Sequence, residues 1–186
     1  IFESDFFTIN NNFIEKIKDS EIYKTTENPE EKELLIKSIP ITYNESDGKV
    51  IGKHIGVQYY TLGQRHGLNI GGHKNSIFII STDINNNTIY VGEGQNHPGL
   101  YREALCIKDS DIHWVRSDIK MINGESRDYL VRIRYRQKLQ EATLYKTKNG
   151  LFIKFKQAQR SITPGQFAAW YDENNLELIG SGVIDK

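Results

Sequence analysis

The stretch "EATLYKTKNGLFIKFK" (141–156) sets two runs of β-type residues on either side of Asn149 and Gly150. Asn-Gly takes up the left-handed backbone of a two-residue hairpin more readily than any other pair, so a turn is predicted at 149–150, with strands flanking it. Past the turn, Leu151, Ile153 and Phe155 alternate with Phe152, Lys154 and Lys156, which puts the first set inward and the second toward solvent. The run before it, "YLVRIRYRQ" (129–137), repeats the pattern: Val131, Ile133 and Tyr135 face one way, and Arg132, Arg134 and Arg136 the other.

Working outward, "EALCIKDSDIHWV" (103–115) and "QFAAWYDENNLELIGSGVI" (166–184) read as further strands of the same kind. "SIFIISTDINNNTIYVGEG" (76–94) reads as another hairpin, with strands at Ile77–Ser81 and Thr88–Val91 and an Asn-rich loop between them. Helix signals are confined to the start. In "NPEEKELLIKSI", Asn28 is suited to cap, Pro29 to the first turn, and Glu30 and Glu31 to the positive end of the helix dipole, so a helix is expected over 29–38, ended by Pro40. The preceding "FFTINNNFIEKIKDSEIY" reads either as a short helix near Phe13–Ile22 or as a mobile insertion. The expected fold is mainly β: two small β-barrel-like domains in tandem, joined near Pro98–Arg102, after a short helical or irregular N-terminal segment.

The chain has 186 residues, and its 24 Lys and Arg balance its 24 Asp and Glu, so no overall basic field attracts nucleic acid. The distribution is uneven. Residues 1–48 hold 5 basic against 11 acidic residues, and residues 127–160 hold 10 against 2, Asp128 and Glu141. Arginines two apart on a strand stand roughly 6.5–7 Å from each other, comparable to neighbouring phosphates on an extended strand. Basic side chains on the solvent face of a sheet also serve solubility alone, but the local excess favours nucleic-acid contact.

The segment "YYTLGQRHGLNIGG" (59–72) combines glycines, tyrosines and the donors Gln64, Arg65 and His66. Such backbone suits close approach to a nucleic acid or to a phosphate. Its glycines are equally suited to tight turns alone. The five histidines lack metal-site spacing, and one cysteine offers no thiolate pair, so no metal site is expected. Cys106, between Leu105 and Ile107, is expected to be a buried, inert thiol. A single cysteine points to a reducing compartment, cytoplasmic or, in a eukaryote, organellar. No apolar run is long enough to span a membrane. The opening "IFESDFF" lacks an initiator Met, and the chain reads as a piece of a longer protein.

In order, "GKHIGVQYYTLGQRHGLNIGG" (52–72), "IYVGEGQNHPGLY" (89–101), "IHWV" (112–115), "RIRYRQ" (132–137) and "TPGQ" (163–166) closely resemble the C-terminal half of the tRNA-specific 2-thiouridylases. The resemblance runs almost continuously over 48–184 and implies a variable segment at 1–47, the family's central domain at 48–102 and its C-terminal β-barrel at 103–186. It implies an enzyme that adenylates C2 of the wobble uridine with ATP and inserts sulfur carried as a cysteine persulfide, delivered by a sulfur-donor protein. The family's ATP loop, of "SGGVDS" type, and its two reactive cysteines lie in an N-terminal half that has no match here, so no catalytic residue and no bound cofactor are expected in this chain. The partner implied is tRNA, met by Arg134, Tyr135 and Gln166, with Arg132, Arg136, Lys154, Lys156, Gln64 and Arg65 as further candidates. The alternative is a β-barrel module that binds protein and no RNA.

Overall fold

The computed structural model describes residues 2–4, 11–174 and 176–186. It divides into two compact units. One comprises residues 1–19 and 41–101, the other residues 20–40 and 102–186, so the segment expected at 1–47 is shared between them.

The first unit contains β1 (Phe2–Ser4), α1 (Asn11–Lys18), β2 (Gly48–Val50), β3 (Ile77–Asp83) and β4 (Thr88–Glu93), with the strands in the order β2-β1-β4-β3. The expected hairpin is the antiparallel β3–β4 pair. Asp83 holds its turn by accepting from the backbone N–H groups of Asn85 and Asn86, and Asn87 takes the left-handed φ of +49° that asparagine tolerates. Ile77, Ile79, Ile89 and Val91 form one apolar cluster with Val57 and Leu68, while Phe78, Ile80, Tyr90 and Leu100 form another on the opposite face. With both faces covered, these strands read as continuous apolar runs.

The second unit contains α2 (Glu21–Thr25), α3 (Pro29–Ser38) and strands β5 (Tyr101–Ile107, from its second residue), β6 (Ile112–Trp114), β7 (Ser126–Arg132), β8 (Gln140–Thr147), β9 (Gly150–Arg160), β10 (Phe167–Tyr171) and β11 (Leu178–Val183). They form a seven-stranded sheet in the order β5-β9-β8-β7-β10-β11-β6. Beyond β11, Lys186 O accepts from Cys106 N at 2.7 Å and Asp185 N donates to Cys106 O at 2.9 Å, so the outermost strand β5 is met by the far end of the sheet. That curl encloses a core of Leu105, Val131, Leu144, Ile153 and Trp170, all buried.

Asn28 caps α3 as expected, accepting from Glu30 N at 2.8 Å. The stretch read as either a short helix near Phe13–Ile22 or a mobile insertion forms two helices, α1 and α2, because Ser20 leaves helical geometry and caps α2 by accepting from Tyr23 N. Part of that N-terminal stretch, residues 6–10, lies outside the described residues.

Two strand expectations are corrected. The hairpin turn is Lys148–Asn149, since Thr147 pairs with Gly150, and it is Gly150 that needs glycine, with φ +127° and Ile107 O 2.5 Å from where a Cβ would sit. Phe152, expected on the solvent face with Lys154 and Lys156, is fully buried with Leu34, Leu35 and Cys106, because α3 lies over that side of the sheet. Leu34 and Leu35 give α3 its buried face, and Glu31 and Glu33 tie its edge to the sheet through Asn149 (2.8 Å) and Lys154 (3.2 Å).

Candidate nucleic-acid interface

The alternation of 129–137 predicts a strand through all three arginines, but β7 stops at Arg132. Gln137 ends it: its Oε1 accepts from Ile133 N at 3.0 Å, its backbone N–H donates to Arg134 O at 3.1 Å, and its Nε2 reaches Gln159 Oε1 at 2.7 Å. The backbone of 133–137 therefore curls into a turn, and Arg132, Arg134 and Arg136 do not form a row on one strand. Tyr135, which the alternation places on the face opposite the arginines, stands at the tip of the turn, 87% exposed.

Each arginine of the group has a different setting. Arg132 donates Nε and Nη2 to Tyr171 Oη at 3.1 and 2.5 Å and Nη1 to Tyr135 O at 3.3 Å. Its guanidinium lies 4.9 Å from the Tyr171 ring centre and 5.8 Å from that of Tyr135, within cation–π range of both. Arg134 donates Nη2 to Ser161 O at 2.8 Å, and partial desolvation, helped by the positive charge of Arg160, lowers its pKa. Arg136 is exposed and has no counter-charge among the described residues, and the same holds for Lys138 next to it.

Much of the remaining charge in 127–160 is answered inside the unit. Lys154 meets Glu33, Lys156 meets Glu141 at 2.7 Å, Arg127 meets Glu125 at 2.8 Å, and buried Lys146 meets Asp109 at 3.0 Å. The uncompensated charge is thus concentrated at the 133–138 turn, with Lys148 of the β8–β9 hairpin turn also exposed.

Gln166 lies close to that turn. Ser161, at φ +54°, begins a loop in which Thr163 Oγ1 bonds Ser161 O at 3.0 Å and Gln166 N bonds Thr163 O at 3.3 Å. Arg134 grips this loop from one side, and Arg102 donates Nη2 to Ile162 O at 2.7 Å. Burial lowers the Arg102 pKa to about 10. Gln166 is half-buried, and its Oε1 is buried without a hydrogen-bond partner among the described residues. Arg134, Tyr135, Arg136 and Gln166 are thus brought to one end of the sheet, with Arg132 beneath them; Lys154 and Lys156 lie elsewhere, on β9. Gln137 and Ser161 were not singled out in the sequence; their roles depend on backbone geometry that leaves no composition signal.

In the other unit, Gln64 acts on its own turn. Its side chain accepts from Thr61 N at 3.0 Å and donates to His66 O at 2.9 Å, while Gly63 and Gly67 take φ of +79° and +80°. Arg65 and His66 are exposed beside a shallow cavity of about 300 Å³. Among the described residues, no group of three His, Cys, Asp or Glu could hold a metal ion, and no helix is long and apolar enough to cross a membrane.

Residues 104–184 match the family described as aminomethyltransferase β-barrel domain, and residues 34–93 match the tRNA methyl transferase PRC-barrel domain. The fold and these two matches define a paired-barrel region of the tRNA methyl transferase type. Among similar proteins are the tRNA-specific 2-thiouridylases MnmA of Flavobacterium johnsoniae (52% identical over 154 residues), Karelsulcia muelleri (46% over 171) and Bacillus subtilis (41% over 140). These alignments cover 83%, 92% and 75% of this chain but only 38%, 42% and 36% of those relatives. The chain belongs to the tRNA-specific 2-thiouridylase family and corresponds to the C-terminal region of its members.

Proposed function

We propose that this chain is the tRNA-gripping region of a wobble-uridine 2-thiouridylase, presenting the anticodon loop to a catalytic region elsewhere in the longer protein. The observation that carries this reading is the exposed turn of Arg134, Tyr135 and Arg136 packed beside the Gln166 loop, where cationic and aromatic groups converge on one end of the sheet. Arg134, Arg136 and Lys138 supply phosphate contacts, and Gln166 a hydrogen-bonding amide. Gln64 stabilises its turn, leaving Arg65 as the donor of the glycine-rich segment.

The chemistry belongs to the remainder of the longer protein: ATP to activate the uridine and a persulfide, charged by a sulfur-donor protein, to replace its oxygen. Cys106 is unsuited to that task, since burial holds its thiol pKa up at about 12 and the thiolate is the reactive form. Filter binding of unmodified tRNA over a salt series tests the reading. Affinity that falls steeply with salt supports it, and no binding at low salt sinks it.

A second reading, a protein-binding module, draws on Ile55 and Ile84. Both are about four-fifths exposed, beside a cavity of about 510 Å³ that Tyr60 and Thr82 also line. Retention of a protein partner with no tRNA affinity would favour it.

A further inference from the structure

The outer face of β10 carries a feature that phosphate contacts leave unused. Along β10, Ala168 and Trp170 are fully buried, so Phe167, Ala169 and Tyr171 point outward. Phe167 is 65% exposed, with no ring or cation–π partner among the described residues, and the small Ala169 separates it from Tyr171 along the strand. Ala169 pairs with Arg132, so Phe167, two residues earlier, sits level with the start of the turn that bears Tyr135. Tyr135 is held from below, its carbonyl bonded to Arg132 and its ring against that guanidinium, itself fixed on Tyr171.

Building on the RNA-binding reading above, we infer that Phe167 and Tyr135 form a stacking platform for unpaired bases of tRNA. Aromatic rings exposed on a sheet surface are the usual seats for splayed-out bases of single-stranded RNA, and each stacked base contributes sequence-tolerant affinity. The flanking charge fits that occupant. Arg136 and Lys138 are exposed and uncompensated at the edge of the platform, where the backbone of a stacked strand would run. A duplex keeps its bases paired inside and offers the rings nothing, so the platform selects loops over stems.

The test is binding of an eight-nucleotide unstructured RNA, a duplex of equal length and whole tRNA to the chain and its variants. Phe167→Ala is expected to weaken the single strand and tRNA about tenfold, leaving the duplex and the salt slope unchanged. Phe167→Trp should restore or exceed the original affinity, and Tyr135→Phe should retain it where Tyr135→Ala does not. Unchanged binding by Phe167→Ala, with a normal melting temperature, overturns the platform while leaving the RNA-binding reading intact. Failure of the unaltered chain to bind any of the three RNAs overturns both.

Discussion

Arg134 donates Nη2 to the carbonyl of Ser161 at 2.8 Å, tying the turn after β7 to the loop after β9. An arginine expected to reach outward is therefore also a clamp on the loop that presents Gln166. Arg134→Ala is expected to lower stability by about 1 kcal/mol, the scale of a charged donor to a carbonyl reduced for its exposure. Amide exchange should accelerate at 161–166 while the β7–β8 ladder stays protected. Equal protection in both regions would show that the clamp is dispensable.

Helix α3 is part of the second unit rather than an appendage, since Leu34 and Leu35 cover Phe152 and Cys106. Leu34 is almost wholly buried, so Leu34→Ala should cost about 2–5 kcal/mol, read from denaturant midpoints at constant m-value. Glu33→Gln, which removes one exposed ion-pair partner of Lys37 and Lys154, should change stability by less than about 1 kcal/mol. Comparable losses from the two substitutions would mean that charge, not apolar cover, holds the helix down.

Burial under α3 raises the Cys106 pKa from 9.0 to about 12. A thiol whose pKa is higher folded than unfolded contributes stability in full below pH 9, and that stability is lost as pH rises from 9 toward 12, because only the unfolded chain gives up the proton. Stability should therefore fall between pH 9 and 11, and Cys106→Ala should reduce that fall. Tyr43, raised to about 12 by burial, adds a loss of the same sign at higher pH that the variant leaves in place. In the same samples, an aromatic disulfide reagent should fail to modify Cys106 at pH 8 until denaturant is added.

The sequence was legible wherever structure is local. Asn28 and Pro29 marked α3, the apolar runs around an Asn-rich loop marked β3 and β4, and the β-type runs around Asn149 marked β8 and β9. It was misleading where a distant group decides. Period two continues through "RIRYRQ", yet Gln137 folds back onto Ile133 N and stops β7 at Arg132. The Phe152 face looked like solvent because the cover comes from α3, more than a hundred residues earlier. At the candidate site, the choice of Arg134, Tyr135 and Gln166 came from matched motifs. Their convergence depends on the Ser161 loop, whose φ of +54° no residue type in "RSITPGQ" announces.

Arg132 and Arg136 have the same charge, yet under the proposed RNA-binding function their settings predict opposite parts for them. Arg132 directs three of its five N–H donors to Tyr171 and Tyr135 and lies against both rings, so its guanidinium is committed to bracing the turn rather than free to turn toward a phosphate. Arg136 is exposed with no counter-charge among the described residues. Replacing a phosphate-contacting cation removes one released counterion and lowers the log–log salt slope by roughly one, whereas disturbing a brace weakens affinity at every salt concentration. Arg136→Ala should therefore flatten the salt dependence of tRNA binding, and Arg132→Met should lower affinity with the slope unchanged. Arg132→Lys should not rescue binding, because an ammonium cannot reproduce the planar fork that engages Tyr171 Oη twice. A flattened slope in Arg132→Met would instead make Arg132 a phosphate ligand and its tyrosine contacts a resting arrangement broken on binding.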